Sequence, residues 1–171
     1  MDLTHYGEDI LRKKAEPVEK VDESLQQLIR DMFETMYEEE GIGLAANQVG
    51  VDKAIATIDI SHTEEGVPPF VLINPEIIEH EGEEAMEEGC LSIPGVHEEV
   101  KRAGRIVVRY MTRENEVIER EATGLLARVI QHETDHLNGT FFVDRISPIK
   151  RRILQRKLNT IARDGFQAEA D

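Results

Sequence analysis

The stretch VIQHETDHLNG, residues 129–139, constrains this chain more than any other feature. His132 and His136 stand four apart, with Glu133 directly after the first. On an α-helix, residues i and i+4 share one face a turn apart, so two imidazoles can aim at one metal ion. Glu133 falls one step further round. In HExxH enzymes the glutamate there reaches the water on the metal rather than the metal itself. A carboxylate in that place can take the water's proton and deliver it to a leaving amine. Leu125, Leu126, Val129, Ile130 and Leu137 supply a wide apolar surface. A helix is therefore predicted over 124–138, with Gly139 as its stop and the histidines toward the interior. A polar helix face could carry the same letters. Two interior histidines flanking a glutamate, however, are costly unless something satisfies them.

Such a site needs a third protein ligand. The long metzincin pattern requires a His six residues after the second, and position 142 is Phe. A downstream Glu is missing between 137 and 168. His5, His62, His80 and His97 fall mostly in loops or at strand ends. Cys90 lies in EGCLSIPG, a glycine-flanked segment, and a thiolate is a good ligand for borderline divalent metals. The residues alone leave Cys90 open between a small buried thiol and a ligand.

The remainder reads as one α+β domain over 1–171. Leu25, Leu28, Ile29, Met32, Phe33 and Met36 trace one helical face after Asp22, a natural N-cap, and the acidic run before Gly41 ends it. GIGLAANQVG (41–50) is a glycine-punctuated connection. AIATIDI (54–60) reads as a strand, and PFVLINPEIIEH (69–80) as two strand pieces around Asn74-Pro75. Residues 81–102 have little periodicity and read as irregular. RIVVRYM (105–111) and EVIEREA (116–122) read as a hairpin. A last helix is predicted over about 147–163, and 165–171 as a flexible tail.

Composition removes some functions. The net charge is −15, which argues against a globally basic DNA binder. No apolar run approaches the ~18 residues that span a membrane, and no apolar h-region follows the N-terminus. One cysteine allows no internal disulfide. A cytoplasmic protein is expected.

Three separated motifs, GIGLAANQ (41–48), EGCLS (88–92) and HETDH (132–136), occur in this order. Together they resemble the signature motifs of bacterial peptide deformylases, and the similarity extends over about residues 3–160. The resemblance implies antiparallel β-sheets around a central HExxH helix, with N-terminal and C-terminal helices besides. It also implies metal-dependent removal of the formyl group from formylmethionyl nascent polypeptides, with release of formate. Cys90, His132 and His136 match the metal ligands, and Glu133 the catalytic acid and base. Gln48 and the Leu91 backbone N–H match the donors to the formyl oxygen, and Gly43 a glycine whose main chain contacts substrate. By the same resemblance the methionine slot includes Ile42, Met86, Leu125, Val129 and His132. Two positions depart from the commoner pattern. His97 stands where an Arg that contacts the substrate main chain is often found, and Arg128 where some members carry an apolar residue.

Two imidazoles and a thiolate accept iron, nickel, cobalt or zinc, and the resemblance implies Fe(II), replaceable by the others. Residues 145–164 hold seven Lys/Arg against one Asp in this acidic chain. A solvated basic face explains that as well as phosphate contact does. The resemblance implies that the C-terminal helix faces the ribosome. Two rivals stand beside this reading, a small HExxH endopeptidase and a ribosome- or metal-binding relative without catalysis.

Overall fold

Asp22 starts the first helix, α1 (Glu23–Glu38), by accepting a hydrogen bond from the Leu25 N–H at 2.8 Å. A side-chain oxygen there satisfies one of the helix's otherwise unpaired first amides. Leu25, Ile29, Met32 and Met36 are buried along one stripe. The helix runs out in the acidic run, and Glu40, at φ 55°, takes the left-handed turn before Gly41. The computed structural model describes residues 1–165. Most of the tail expected over 165–171 lies outside the described residues, while Gly165 closes the last helix.

After α1 come β1 (Gly43–Ala45), a 3-10 turn at Ala46–Val49, β2 (Ile55–Ile58) and β3 (Phe70–Glu81). Next are β4 (Glu84–Cys90), β5 (Ile93–Arg102), β6 (Arg105–Met111) and β7 (Val117–Thr123). Helices α2 (Gly124–Leu137) and α3 (Pro148–Asp164) complete the described chain. One antiparallel sheet has the order β1-β2-β3-β6-β7, and β4 pairs with β5 in a second.

Successive side chains of a strand point to opposite faces of a sheet. Ala56, Ile58, Leu72, Ile106 and Val108 therefore pack against Leu126, Ala127 and Ile130 of α2. Ile55, Val71, Ile73 and Met111 turn the other way, onto the buried stripe of α1. Both faces of β2 are covered, and all four of its residues are buried. A third cluster joins Ile93, Val96 and Val100 of β5 to Phe141, Phe142, Leu158 and Ile161. Helix α2 thus lies inside the molecule, with the large sheet on one side and the smaller sheet near its polar end. Among the described residues no helix is long and apolar enough to cross a membrane.

Two local expectations change. PFVLINPEIIEH is one strand rather than two pieces, with a register shift between Ile73 and Glu76. Asn74 takes φ 52° there, and its side chain bonds both the N–H and the C=O of Val18, so a distant segment holds the irregularity in place. Residues 81–102 are not irregular. They form the β4–β5 hairpin, whose first strand exposes Glu84, Ala85, Met86 and Glu87, leaving no apolar alternation to read.

Candidate metal centre and active-site cleft

The last turns of α2 carry His132, Glu133 and His136 into the interior. Gly139, at φ 75°, ends the run, and a side chain there would meet the Arg12 carbonyl at 2.5 Å. The end of β4 brings Cys90 to the same point, just past a register shift between Gly89 and Cys90. Ligand atoms of Cys90, His132 and His136 lie within 4.8 Å of one another. The Cys90 sulfur is 3.2 Å from His136 Nε2, which is 3.2 Å from His132 Nε2.

This donor set fits a divalent ion. Burial disfavours a charge on His132, yet the Cys90 sulfur and the Glu88 carboxylate hold its pKa up at about 10. The three donor atoms converge within 4.8 Å, a spacing at which one ion can meet all of them. Burial drives His136 well below its ordinary value, aided by His132, and so keeps it neutral as a ligand must be. Two imidazoles and a thiolate form a set that borderline metals accept, with room left for a further ligand.

Glu88 is the group that reading the sequence missed. Its carboxylate accepts from His132 Nδ1 at 2.8 Å, from Arg102 at 2.6 and 3.0 Å, and from Arg128. Burial opposes its ionisation, but His132 and Arg102 bring its pKa down to about 2. It is therefore a carboxylate that orients His132 and leaves Nε2 free for a ligand bond. The signal was its place inside EGCLS, two residues before the cysteine. Arg102 continues the network to Asp135 at 2.9 Å, and Arg145 closes it from outside with two 2.8 Å bonds.

Glu133 is 3% exposed, and its Oε2 has no hydrogen-bond partner. Burial is the main cause that raises its pKa, to about 7. Gly43 makes room for it, because a Cβ at that glycine would stand 2.6 Å from Glu133 Oε1. Gln48 is fixed from behind. Its Oε1 accepts from Ala45 N–H at 3.0 Å, so its Nε2 points forward to Ser92 Oγ at 3.0 Å and Cys90 Sγ at 3.4 Å.

Above these groups opens a cleft of about 620 Å³. Every residue singled out from the sequence lines it except His136, which lies beneath. Thus Ile42, Gly43, Gln48, Met86, Cys90, Leu91, His97, Leu125, Arg128, Val129, His132 and Glu133 share one wall system. Ile42 and Met86, each 40% exposed, stand at its mouth. His97 pairs across from Gly89, and its ring occupies the space that a side chain at Gly89 would need. Arg128 is 5% exposed. Its guanidinium donates to Glu88, to the Val100 carbonyl at 2.9 Å and to the Glu84 carbonyl at 2.7 Å.

A sequence profile described as polypeptide deformylase matches residues 1–152. A peptide deformylase of Thermodesulfovibrio yellowstonii is 48% identical over 160 residues, covering 94% of this chain and 97% of its own. That of Alkalilimnicola ehrlichii is 49% identical over 166 residues, covering 96% and 92%. Among solved structures, a peptide deformylase from Legionella pneumophila superposes with a TM-score of 0.85 at 46% identity, over 95% of each chain. One from Plasmodium falciparum reaches 0.88 at 34% identity, over 95% of this chain and 96% of its own.

Proposed function

The chain belongs to the polypeptide deformylase family, and from that premise we propose how its residues divide the work. The reaction is hydrolysis of the N-terminal formyl group of formylmethionyl peptides, which releases formate. Water supplies the oxygen that bonds to the formyl carbon. The bond from that carbon to the methionine nitrogen breaks, and the freed amine gains a proton.

Cys90, His132 and His136 would hold the divalent ion. When bound, the ion supplies Lewis acidity, which polarises a carbonyl and lowers the pKa of a water. We take Fe(II) as the native ion, on the family resemblance together with a donor set of two imidazoles and one thiolate. Metal analysis of protein purified anaerobically tests that choice, and zinc alone in such protein would overturn it.

Glu133 moves the protons. Its carboxylate, held near neutrality by burial, takes one from the attacking water and returns it to the departing nitrogen. Gln48 Nε2 and the Leu91 N–H receive the charge that develops on the formyl oxygen. The edge of β1, which among the described residues pairs with β2 alone and lines the cleft through Gly43, can take the peptide as an added strand. Ile42, Met86, Leu125, Val129 and the His132 ring wall the methionine slot. His97 is a rim contact for the peptide main chain. Arg128 acts at one remove, because its polar atoms are spent on Glu88 and on two carbonyls of the β4–β5 hairpin.

The observation that most supports this reading is the convergence of three ligand atoms within 4.8 Å beside a buried, unpartnered carboxylate oxygen. An anaerobic assay of formate release from formyl-Met-Ala tests it. Iron- or nickel-loaded protein should release formate, and absence of release would defeat the assignment.

The ribosome is the partner that α3 best suits. Ile149 and Ile153 are 74% and 75% exposed, beside Arg152 and Arg156, which make no salt bridge among the described residues. Arg151, by contrast, is tied to Asp144 and Tyr6. Charge reversal at Arg152 and Arg156 together should weaken co-sedimentation with ribosomes, and unchanged binding would sink the idea.

A further inference from the structure

The two histidines of the metal site differ behind the ring. His132 has Glu88 on its Nδ1. His136 is 1% exposed, and its Nδ1 has no partner. A neutral imidazole that offers Nε2 to an ion carries its proton on Nδ1, and that N–H needs an acceptor in the interior. Asn47, also 1% exposed, is bonded to the His136 backbone and has one to give. Its Nδ2 donates to the His136 carbonyl at 2.6 Å, while its Oδ1 is buried without a partner. The amide cannot be turned round, since that would set two oxygens against each other. Its oxygen, one carbon away from Nδ2, therefore stays beside His136. Two other groups on this helix are unpartnered: Thr134 Oγ1, on a residue two positions before His136 that points to a different face, and Glu133 Oε2, whose side chain lines the cleft while His136 does not.

We propose that Asn47 Oδ1 accepts the His136 Nδ1–H through one buried water, so that Asn47 positions the second imidazole as Glu88 positions the first. This rests on the reading of His136 as a ligand, and the two can fail separately. A buried water joins interior polar atoms that have no direct partner, and Asn47 is already held to the His136 backbone through its Nδ2. The motif GIGLAANQ then works twice, with Gln48 aimed into the cleft and Asn47 held beneath the metal site.

The test is cobalt release. Co(II)-loaded wild type, Asn47→Leu and Asn47→Asp are challenged with a chelator, and loss of the visible cobalt bands is timed. Both variants lose the donor to the His136 carbonyl, so both should lower the melting temperature of the metal-free protein. Only Asn47→Leu loses the acceptor. It should release cobalt about 10–100-fold faster than wild type, while Asn47→Asp stays within about threefold. Equal release by all three, or release from Asn47→Asp as fast as from Asn47→Leu, overturns the proposal. Wild type that binds no cobalt overturns the ligand reading itself. Should Asn47→Leu fail to fold, a long-range 1H–15N spectrum of zinc-loaded wild type decides. The proposal expects a His136 Nδ1–H protected from exchange, with a cross-peak to bound water. A bare Nδ1, or a proton exchanging at the bulk rate, overturns it.

Discussion

Helices α2 and α3 have similar lengths, 14 and 17 residues, and opposite surroundings. Nine residues of α2 are buried, among them Arg128, Glu133, Thr134 and His136. In α3 only Leu158 and Ile161 are. The contrast teaches where function sits. A polar side chain in water needs no explanation, whereas one in the interior must find partners or a purpose. Arg128 has its partners. Glu133 Oε2 and His136 Nδ1 have none, and both belong to the centre where chemistry is proposed.

The largest effect should come from Glu133→Gln. Removing the proton carrier while keeping the shape should cost about 10²–10⁴ in the rate of formate release. The melting temperature should not fall, because a buried carboxylate with a pKa raised to about 7 contributes nothing favourable to folding at neutral pH. A variant that kept more than a tenth of the wild-type rate would remove Glu133 from its role and blunt the contrast between the helices.

Next comes the apolar side of α2. Ile130 is fully buried between the helix and the large sheet. Ile130→Ala should destabilise by about 2–5 kcal/mol, read from chemical denaturation, through lost burial plus the cavity left behind. A cost under about 1 kcal/mol would show that α2 is not the packed centre described above.

The same contrast explains what could be read in the sequence. Helices α1 and α3 and strand β6 were legible, because each buries a stripe whose period is written in its own residues. Helix α2 was legible from its wide apolar surface, and β7 as the strand that returns along β6 after a short turn. The β4–β5 hairpin was not. Glu84–Glu87 are exposed on both sides of β4, and its pairing breaks at Gly89/Cys90, so nothing local marks a strand. The two histidines proposed as metal ligands on α2 were legible from spacing alone, since a helix fixes i and i+4 together. Cys90 lies 42 residues before His132 in the sequence; elimination left it open as a ligand, and the three-motif resemblance drew it in. Glu88 and Asn47 stayed hidden for a deeper reason. Their importance lies in which atoms they meet, and no periodicity records that.

Between the two helices, Asp144 ties the turn after α2 to α3. Its carboxylate meets Arg12 at 2.6 Å, Arg151 at 2.8 Å and the Phe141 N–H at 2.8 Å. Burial opposes its charge, but these donors outweigh it and lower its pKa below the ordinary 3.8. A carboxylate with a lowered folded pKa stabilises fully above its unfolded pKa, and loses that contribution as pH falls through the folded one. Wild type should therefore melt higher than Asp144→Asn at pH 7. The gap should narrow as pH is taken from about 5 to about 2. A gap that stays constant over that range would mean that Asp144 acts through shape rather than charge.

The smallest effect belongs to the outer face of α3. Ile153 is as apolar as Ile130, yet it stands 75% exposed. Truncating it removes little that folding took out of water, and alanine favours a helix more than isoleucine does. Ile153→Ala should therefore change stability by less than about 0.5 kcal/mol in either direction, and leave formate release untouched. Two isoleucines on neighbouring helices would then differ severalfold in effect through surroundings alone. A loss near that of Ile130→Ala would mean that Ile153 is covered in the protein in solution. The apolar pair Ile149 and Ile153 would then be a contact already made rather than one kept open for a partner.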